Sequence, residues 1–380
     1  MSATGTGKAT KPAGLEGVVA CDSAICAVDG QRGVLSYFGY DIHDLADHST
    51  FEETIALLWF GTLPTRTQLD ALTAQLVAAR PLPEPVMAFL RGCPQDAHPM
   101  TVLRTAVSAL GMYDSEADAK DTESNHRKAI RLTAQIPTII ASYHRIRTGK
   151  EPVAPTREAS TARNFLTMLH DEAPTETAVK GLDIAFILHA DHELNASTFT
   201  ARTVAATLAD FYGATTSAIA SLAGPLHGGA NEEVVKMLDK VGSPDHAVAF
   251  IHEQLAAHTK ISGFGHRVYK AEDPRATHLR EMARQVCEES GHEEQFQTLR
   301  LMEDTMLKEK NIHSNVDYYS GTFYRALGIP DDLFTPVFAI SRMSGWAAHI
   351  LEQYGNNRLI RPRAEYTGAY DRHYLPIDER

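Results

Sequence analysis

The sequence predicts a mainly α-helical, all-α class protein with many helices and one small β element near its N-terminus. Three observations carry that expectation. Apolar residues recur at helical spacing almost without a break across residues 50–354, strand-like composition is confined to residues 17–40, and no fixed-period repeat or low-complexity tract interrupts the pattern. At 380 residues and 43% hydrophobic content the chain can bury a large core, and that length fits two lobes better than one.

Residues 1–14 are small and polar with Lys8 and Lys11, so they read as a disordered tail and not as a signal peptide. Residues 17–40 mix Val18, Val19, Ile25, Val28 and Val34 with Asp29-Gly30 and Gly39, which suits short strands joined by tight turns. From Thr50 the period becomes helical. Thr50 and Glu53 make a capping box, Ile55, Leu58 and Trp59 follow on one face, and Gly61 ends the run. Leu69, Leu72 and Leu76 repeat the spacing between Pro64-Thr65 and Pro81. Helices are predicted next at 87–90, 101–110 and 127–147, with Pro137 as a kink or break in the last. Gly149, Pro152 and Pro155 mark residues 148–160 as a surface loop. Further helices are predicted at 161–170, 175–188 and 197–211, then at 232–238, 244–258, 275–289, 293–308, 316–327 and 339–354, followed by a basic tail.

The formal net charge of -12 argues against broad nucleic-acid or membrane-surface binding, because either polyanion would be repelled at long range. An anionic substrate must therefore meet a locally basic pocket. Cys21, Cys26, Cys93 and Cys287 form no C-x-x-C pair, which fits a reducing cytosol without disulfides or thiolate zinc. With no run of about 18 apolar residues, a cytoplasmic protein is expected.

Residues 221–231, Ser-Leu-Ala-Gly-Pro-Leu-His-Gly-Gly-Ala-Asn, set His227 among backbone-permissive residues at a helix boundary. Gly228 and Gly229 let the backbone approach a ligand, and Asn231 is placed to cap the next helix. A histidine there can donate one ring proton to a ligand while the backbone fixes its other nitrogen. In His189-Ala190-Asp191-His192-Glu193, a continuing helix would put His189 and His192 on one face. The H-E-x-x-H pattern is absent, so a histidine donating to a substrate oxygen fits better than a metal ligand.

Residues 262–270 followed by Asp273-Pro274-Arg275 form a second dense block. Val268 stands where a third glycine of G-x-G-x-x-G would be, so a dinucleotide loop is not predicted. Gly263 and Gly265 still expose backbone groups suited to an adenine edge, Arg267 and Lys270 suit phosphate, and Arg275 suits bidentate pairing with a small carboxylate. Asp317, in Asn-Val-Asp-Tyr-Tyr-Ser-Gly, is either a base at a helix start or simply its N-cap. Arg342 lies in an apolar helix and must find a partner, an anionic ligand being one candidate.

In this order the blocks resemble citrate synthase: Gly-Tyr-Asp-Ile-His-Asp-Leu at 39–45, Gly-Pro-Leu-His-Gly-Gly-Ala-Asn-Glu at 224–232, Gly-Phe-Gly-His-Arg-Val-Tyr at 263–269 with Asp-Pro-Arg at 273–275, and Asn-Val-Asp-Tyr-Tyr-Ser-Gly at 315–321. The resemblance implies a homodimer of the two-domain citrate synthase fold, with a large domain of 15–228 plus 329–380, a small domain of 229–328, and the site in the cleft between them. Small-domain closure would exclude water. It further implies catalytic roles for His227, His266 and Asp317, and oxaloacetate binding by His192, Arg275, Arg342 and Arg361, the last reaching the partner subunit's site. The backbone of Ile261, Ser262, Gly263, Phe264 and Gly265 would meet the adenine of coenzyme A, and Lys270 its pyrophosphate. Acetyl-CoA and oxaloacetate would be the substrates, with no metal and no cofactor beyond the thioester itself.

The neighbouring activity is 2-methylcitrate synthesis from propionyl-CoA. Members of that branch often carry Lys where this chain has Leu226, and their aspartate block differs, so both features favour citrate. A catalytically silent helical scaffold or metabolite sensor is the reading from another class; the complete set of His227, His266 and Asp317 argues against it. Lacking the N-terminal extension of longer relatives, the chain is expected to be a dimer without NADH control.

Overall fold

A computed structural model describes residues 13–15, 17–266 and 268–380. The expected tail at 1–14 falls outside them except for its last two residues, which belong to a single 3₁₀ turn at Ala13–Leu15. The β element is a three-stranded antiparallel meander of β1 (Cys26–Asp29), β2 (Val34–Tyr37) and β3 (Tyr40–Asp41), with Cys26 opposite Tyr37 and Asp29 opposite Val34. The Asp29 carboxylate accepts from the backbone N–H groups of Gln31 and Arg32 at 3.0 and 3.1 Å, closing the hairpin.

Helices follow as α1 (Ile42–His48), α2 (Phe51–Phe60), α3 (Arg66–Ala79), α4 (Glu84–Gly92), α5 (Pro99–Leu110), α6 (Thr122–Arg147), α7 (Thr161–His170) and α8 (Glu176–His189). Then come α9 (Ala196–Ala205), α10 (Phe211–Leu222), α11 (Ala230–Val241), α12 (Pro244–Ala256), α13 (Pro274–Ser290), α14 (Glu293–Lys310), α15 (Val316–Ala326) and α16 (Phe334–Gly355). Both halves of the Thr50–Glu53 capping box form at the start of α2.

Several expectations are corrected. Pro137 does not break its helix: α6 runs unbroken through it, with residues 132–143 buried on all sides. The helix expected at 197–211 ends at Ala205, and a turn at 206–210 leads into α10, for which no helix is predicted above. Leu208 turns the chain with φ 62° and the Asp210 carboxylate caps α10 by accepting from Gly213 N–H. Asn231 lies inside the first turn of α11 and Gly229 holds the cap position, so Asn231 is not the N-cap. α8 ends at His189, so His192 is not on a helix and shares no helical face with it.

The core is organised around α16, whose residues from Phe334 to Ile350 are all buried. Such a helix is apolar all round and must be enclosed, here by α2, α5, α6, α8, α9 and α10. The helices α11 to α15 pack largely on one another, while α13 also lies on α1 and α8, and α11 on α16. After α16 the chain runs exposed through residues 361–380, with only a 3₁₀ turn at Ile377–Glu379. All four cysteines are free thiols.

Candidate active site

His227 sits in the turn between α10 and α11, and the turn closes on itself. The N–H of His227 donates to Gly224 O at 2.9 Å and that of Gly228 to Leu222 O at 3.0 Å. A Cβ at Gly228 would lie 2.5 Å from Leu222 O and 2.8 Å from Thr335 Cγ2, so only glycine fits. His227 Nε2 lies 3.3 Å from the Ser197 backbone N–H and 2.8 Å from Ser197 Oγ. A backbone N–H only donates, so Nε2 is the acceptor and the neutral ring carries its proton on Nδ1. Burial, then the charge of Arg342, lowers its pKa to about 4, so the ring is neutral near pH 7.

His266 repeats this logic with the nitrogens exchanged. Its Nδ1 accepts from the backbone N–H groups of Val268 at 3.0 Å and Tyr269 at 3.2 Å, leaving the proton on Nε2. Burial and then Arg275 lower its pKa to about 4. Its ring centroid is 5.6 Å from that of His192 and 4.8 Å from that of Tyr269, while His192 Nε2 and Tyr269 Oη are 3.1 Å apart. The loop is braced by the β1–β2 turn: Gly30 O accepts from Lys270 N–H at 2.7 Å, and a Cβ at Gly30 would sit 2.1 Å from Val268 O.

Two buried arginines face the same region. Arg275, at the start of α13, pairs with Asp273 through Nε at 2.9 Å and an NH2 group at 2.8 Å. Asp273 also accepts the Val316 N–H at 3.2 Å, which ties α13 to the start of α15. Arg342 donates from Nε to His189 O at 2.7 Å and its guanidinium lies 4.7 Å from the Phe338 ring centre. Phe338 also meets the edge of His227, at 6.5 Å between centroids. Asp317 is the second residue of α15. Asn315, not Asp317, is the N-cap, accepting the Asp317 N–H at 3.0 Å, so the capping alternative for Asp317 is set aside. Burial raises the Asp317 pKa to about 6 against Arg275, with Asp273 adding to the rise and Arg342 opposing it.

The 261–265 segment pairs with 313–315. Asn315 N–H donates to Gly263 O at 2.9 Å, Gly265 N–H to His313 O at 3.1 Å, and Asn315 Nδ2 to Gly265 O at 2.9 Å. Gly263 and Gly265 hold φ of 81° and 73°, which favours glycine. Those pairings use glycine groups expected to be open. In this bridge the N–H and C=O of Phe264 point away from Ser314 and find no partner among the described residues. Ile261 is buried, Ser262 half-buried and Lys270 exposed beside a recess of about 220 Å³ that His266, Lys270, Asn311 and Asn315 help to line. Arg267 lies outside the described residues. Arg361 stands exposed on the C-terminal segment, apart from the cluster, with no hydrogen bond or ion pair to a described residue.

Sequence reasoning gave no role to Ser197, Tyr269, Asp273 or Phe338. Tyr269 and Asp273 lie inside the blocks already singled out. Ser197 and Phe338 sit in ordinary helices, and only the fold brings them to His227.

A family model described as the C-terminal domain of citrate synthase matches residues 14–363. The chain belongs to the citrate synthase family. Citrate synthase 2 of Bacillus subtilis (strain 168) is 50% identical over 372 residues, covering 98% of this chain and all of that one. A 2-methylcitrate synthase 2 of Corynebacterium glutamicum is 40% identical over 372 residues and 97% of each chain. Among solved structures, a citrate synthase of Thermoplasma acidophilum in ternary complex with carboxymethyl coenzyme A and oxaloacetate superposes with a TM-score of 0.91. It is 31% identical and matches over 97% of this chain and 98% of that one. The mostly helical architecture is that of citrate synthase structures.

Proposed function

We propose that this protein is an acyltransferase that condenses acetyl-CoA with oxaloacetate and hydrolyses the resulting citryl-CoA to citrate and coenzyme A. The observation that carries the reading is the paired histidine geometry: His227 and His266 each give one nitrogen to protein N–H donors and keep the opposite N–H for a ligand. Carbon–carbon bond formation from a thioester needs a base for a methyl proton and a donor for the enolate oxygen. Asp317 takes the proton, and neutral His227 donates from Nδ1 to the thioester oxygen where charge develops. His266 donates from Nε2 to the ketone of oxaloacetate and assists protonation of the new alkoxide. His192, Arg275 and Arg342 hold the dianion with its carbonyl carbon facing the nucleophile, which lowers the entropic part of the barrier. Arg275 exchanges part of its pairing with Asp273 for the substrate carboxylate.

Arg361 completes the dianion site from the partner subunit of a homodimer. The outward amide of Phe264, within the 261–265 segment, hydrogen-bonds the adenine edge, and Lys270 meets the pyrophosphate. The helices of 229–328 act as a small domain that closes on the large domain formed by 15–228 and 329–380, excluding water before the chemistry. No helix among the described residues is long and apolar enough to cross a membrane, and we place the enzyme in the cytoplasm.

The deciding assay is oxaloacetate-dependent release of coenzyme A thiol by purified protein, with acetyl-CoA and propionyl-CoA run side by side. Strong release with acetyl-CoA is expected. Preference for propionyl-CoA would move the reading to 2-methylcitrate synthesis, where one methylene discriminates weakly. No release from either would support a silent scaffold. Asp317→Ala should abolish condensation and leave oxaloacetate binding intact by calorimetry; near-normal turnover would remove Asp317 from its role as base.

A further inference from the structure

A single buried carboxylate joins the residue assigned above to the dianion with the residue assigned to the methyl proton. Oδ1 of Asp273 accepts from the backbone N–H of Arg275 at 3.1 Å and from its Nε at 2.9 Å. Oδ2 accepts from an NH2 group of Arg275 at 2.8 Å and from the Val316 N–H at 3.2 Å. A carboxylate offers about four lone-pair sites, so Asp273 is filled by the protein and keeps none for a ligand.

The first consequence is geometric. Pairing through Nε and one NH2 group fixes the plane of the guanidinium and leaves its NH1 group without a partner among the described residues, open to a carboxylate. Where a substrate draws the NH2 group away, Nε still holds that plane. Val316 directly precedes Asp317, so the same carboxylate sets where the first turn of α15 stands relative to Arg275. The second consequence is electrostatic. Arg275 and Arg342 are buried cations that favour the ionised form of Asp317, and the Asp273 charge opposes them. Without that opposing charge Asp317 would give up its proton more readily and would be a weaker base.

We propose that Asp273 is a positioning residue for the reaction, fixing Arg275 and the first turn of α15 in one relative placement and offsetting the Arg275 charge beside Asp317. The inference rests on the reading of Asp317 as the base. Asp273 acts only through its neighbours, since its own acceptor sites are taken. It is also the N-cap of α13, so one residue caps that helix, aims its second residue and ties down the start of the helix that carries Asp317.

The test separates charge from placement with two variants. Asparagine caps a helix as well as aspartate does, so Asp273→Asn keeps the start of α13 and removes the charge. The acidic limb of kcat should then move down by about one pH unit, because an unopposed cation favours the carboxylate, and kcat on the plateau should fall about tenfold. Val316→Pro removes the N–H that reaches Asp273 from α15, at the first helical position, where proline is tolerated. With the Asp273 charge intact, the limb should stay in place, kcat should fall about fivefold and the KM for oxaloacetate should stay within about twofold. Wild-type kcat in Val316→Pro would overturn the placement role. Adding Asp317→Asn to the wild type and to Asp273→Asn reads the same carboxyl without turnover, through the pH dependence of the stability gap, which should shrink in the second background. A limb that moves up, or a limb and a gap that both stay unchanged, would overturn the charge role. A gap that shrinks beside an unmoved limb would instead sink Asp317 as the base and leave the charge role of Asp273 standing. Thermal melting of each variant separates a packing defect from a functional one, and Asp273→Ser, also a helix cap, serves if Asp273→Asn does not fold.

Discussion

Asp317 is held between burial, which favours the neutral acid, and two buried arginines, which favour the carboxylate. If Asp317 is the base proposed above, its pKa of about 6 sets the lower end of the working range. As a base it acts only when ionised, whereas His227 and His266, with pKa values lowered to about 4, are neutral donors well below that point. The acidic limb of kcat should therefore have an apparent pKa near 6, and a limb near 4 would assign it to a histidine instead. The same shift has a stability consequence of fixed sign. A carboxyl whose folded pKa lies above its unfolded one binds more protons in the native state, so native stability falls as pH rises from about 4 through about 6. The penalty is about 3 kcal/mol at neutral pH. Asp317→Asn escapes it, so its melting temperature should gain on the wild type between pH 4 and pH 7; a gap independent of pH would contradict the shift. From the sequence, Asp317 was either a base or a cap, since asparagine and aspartate cap equally well and both stand at this helix start. Only the fold shows Asn315 taking the cap.

At the scale of elements, α16 presses against the turn that follows α8. A Cβ on Gly345 would lie 2.3 Å from Ala190 O and 2.4 Å from Asp191 Oδ2, and neither atom can yield cheaply because both are buried. Gly345→Ala should destabilise by about 1–3 kcal/mol, seen as a lower melting temperature, and should raise the KM for oxaloacetate because His192 lies one residue beyond Asp191. Unchanged stability would mean that α16 shifts freely. Most helices were legible because the 3.6-residue period is strong, but α1 and α10 drew no prediction of their own, and neither the turn before α10 nor the continuity of α6 was foreseen. The turn at 206–210 has no glycine or proline to signal it: Leu208 adopts positive φ because Asp210 caps α10 and Phe211 and Ala205 are pulled into the core on either side. Pro137 reads as a break in sequence, yet the packing around its fully enclosed stretch of α6 outweighs the lost backbone hydrogen bond. The motif histidines were legible as ligands to something. Their tautomers were not, since the donors that set them come from Ser197 and from the amides after His266.

At the scale of the whole molecule, the single chain leaves a cluster of cationic and apolar residues outside its body. Tyr366, Tyr370, Tyr374 and Ile377 are 58%, 70%, 80% and 70% exposed, on the same segment that carries Arg361. If Arg361 serves the partner's site, Arg361→Ala should raise the KM for oxaloacetate about tenfold or more with little change in melting temperature. Subunit exchange gives a sharper check. Dimers mixed from Arg361→Ala and Asp317→Asn contain one site with both residues intact, so re-equilibrated mixtures should recover up to about a quarter of wild-type activity. No recovery would place Arg361 in its own subunit's site or in none.

The brace between Gly30 and Lys270 also sets an order of events at the ribosome. The hairpin emerges among the first residues, but its partner follows about 240 residues later. At roughly 5–20 residues per second the turn waits about 10–50 seconds before it has anything to support. The loop that presents His266 therefore gains its brace only late in synthesis, and the first strands made are among the last to be put to use.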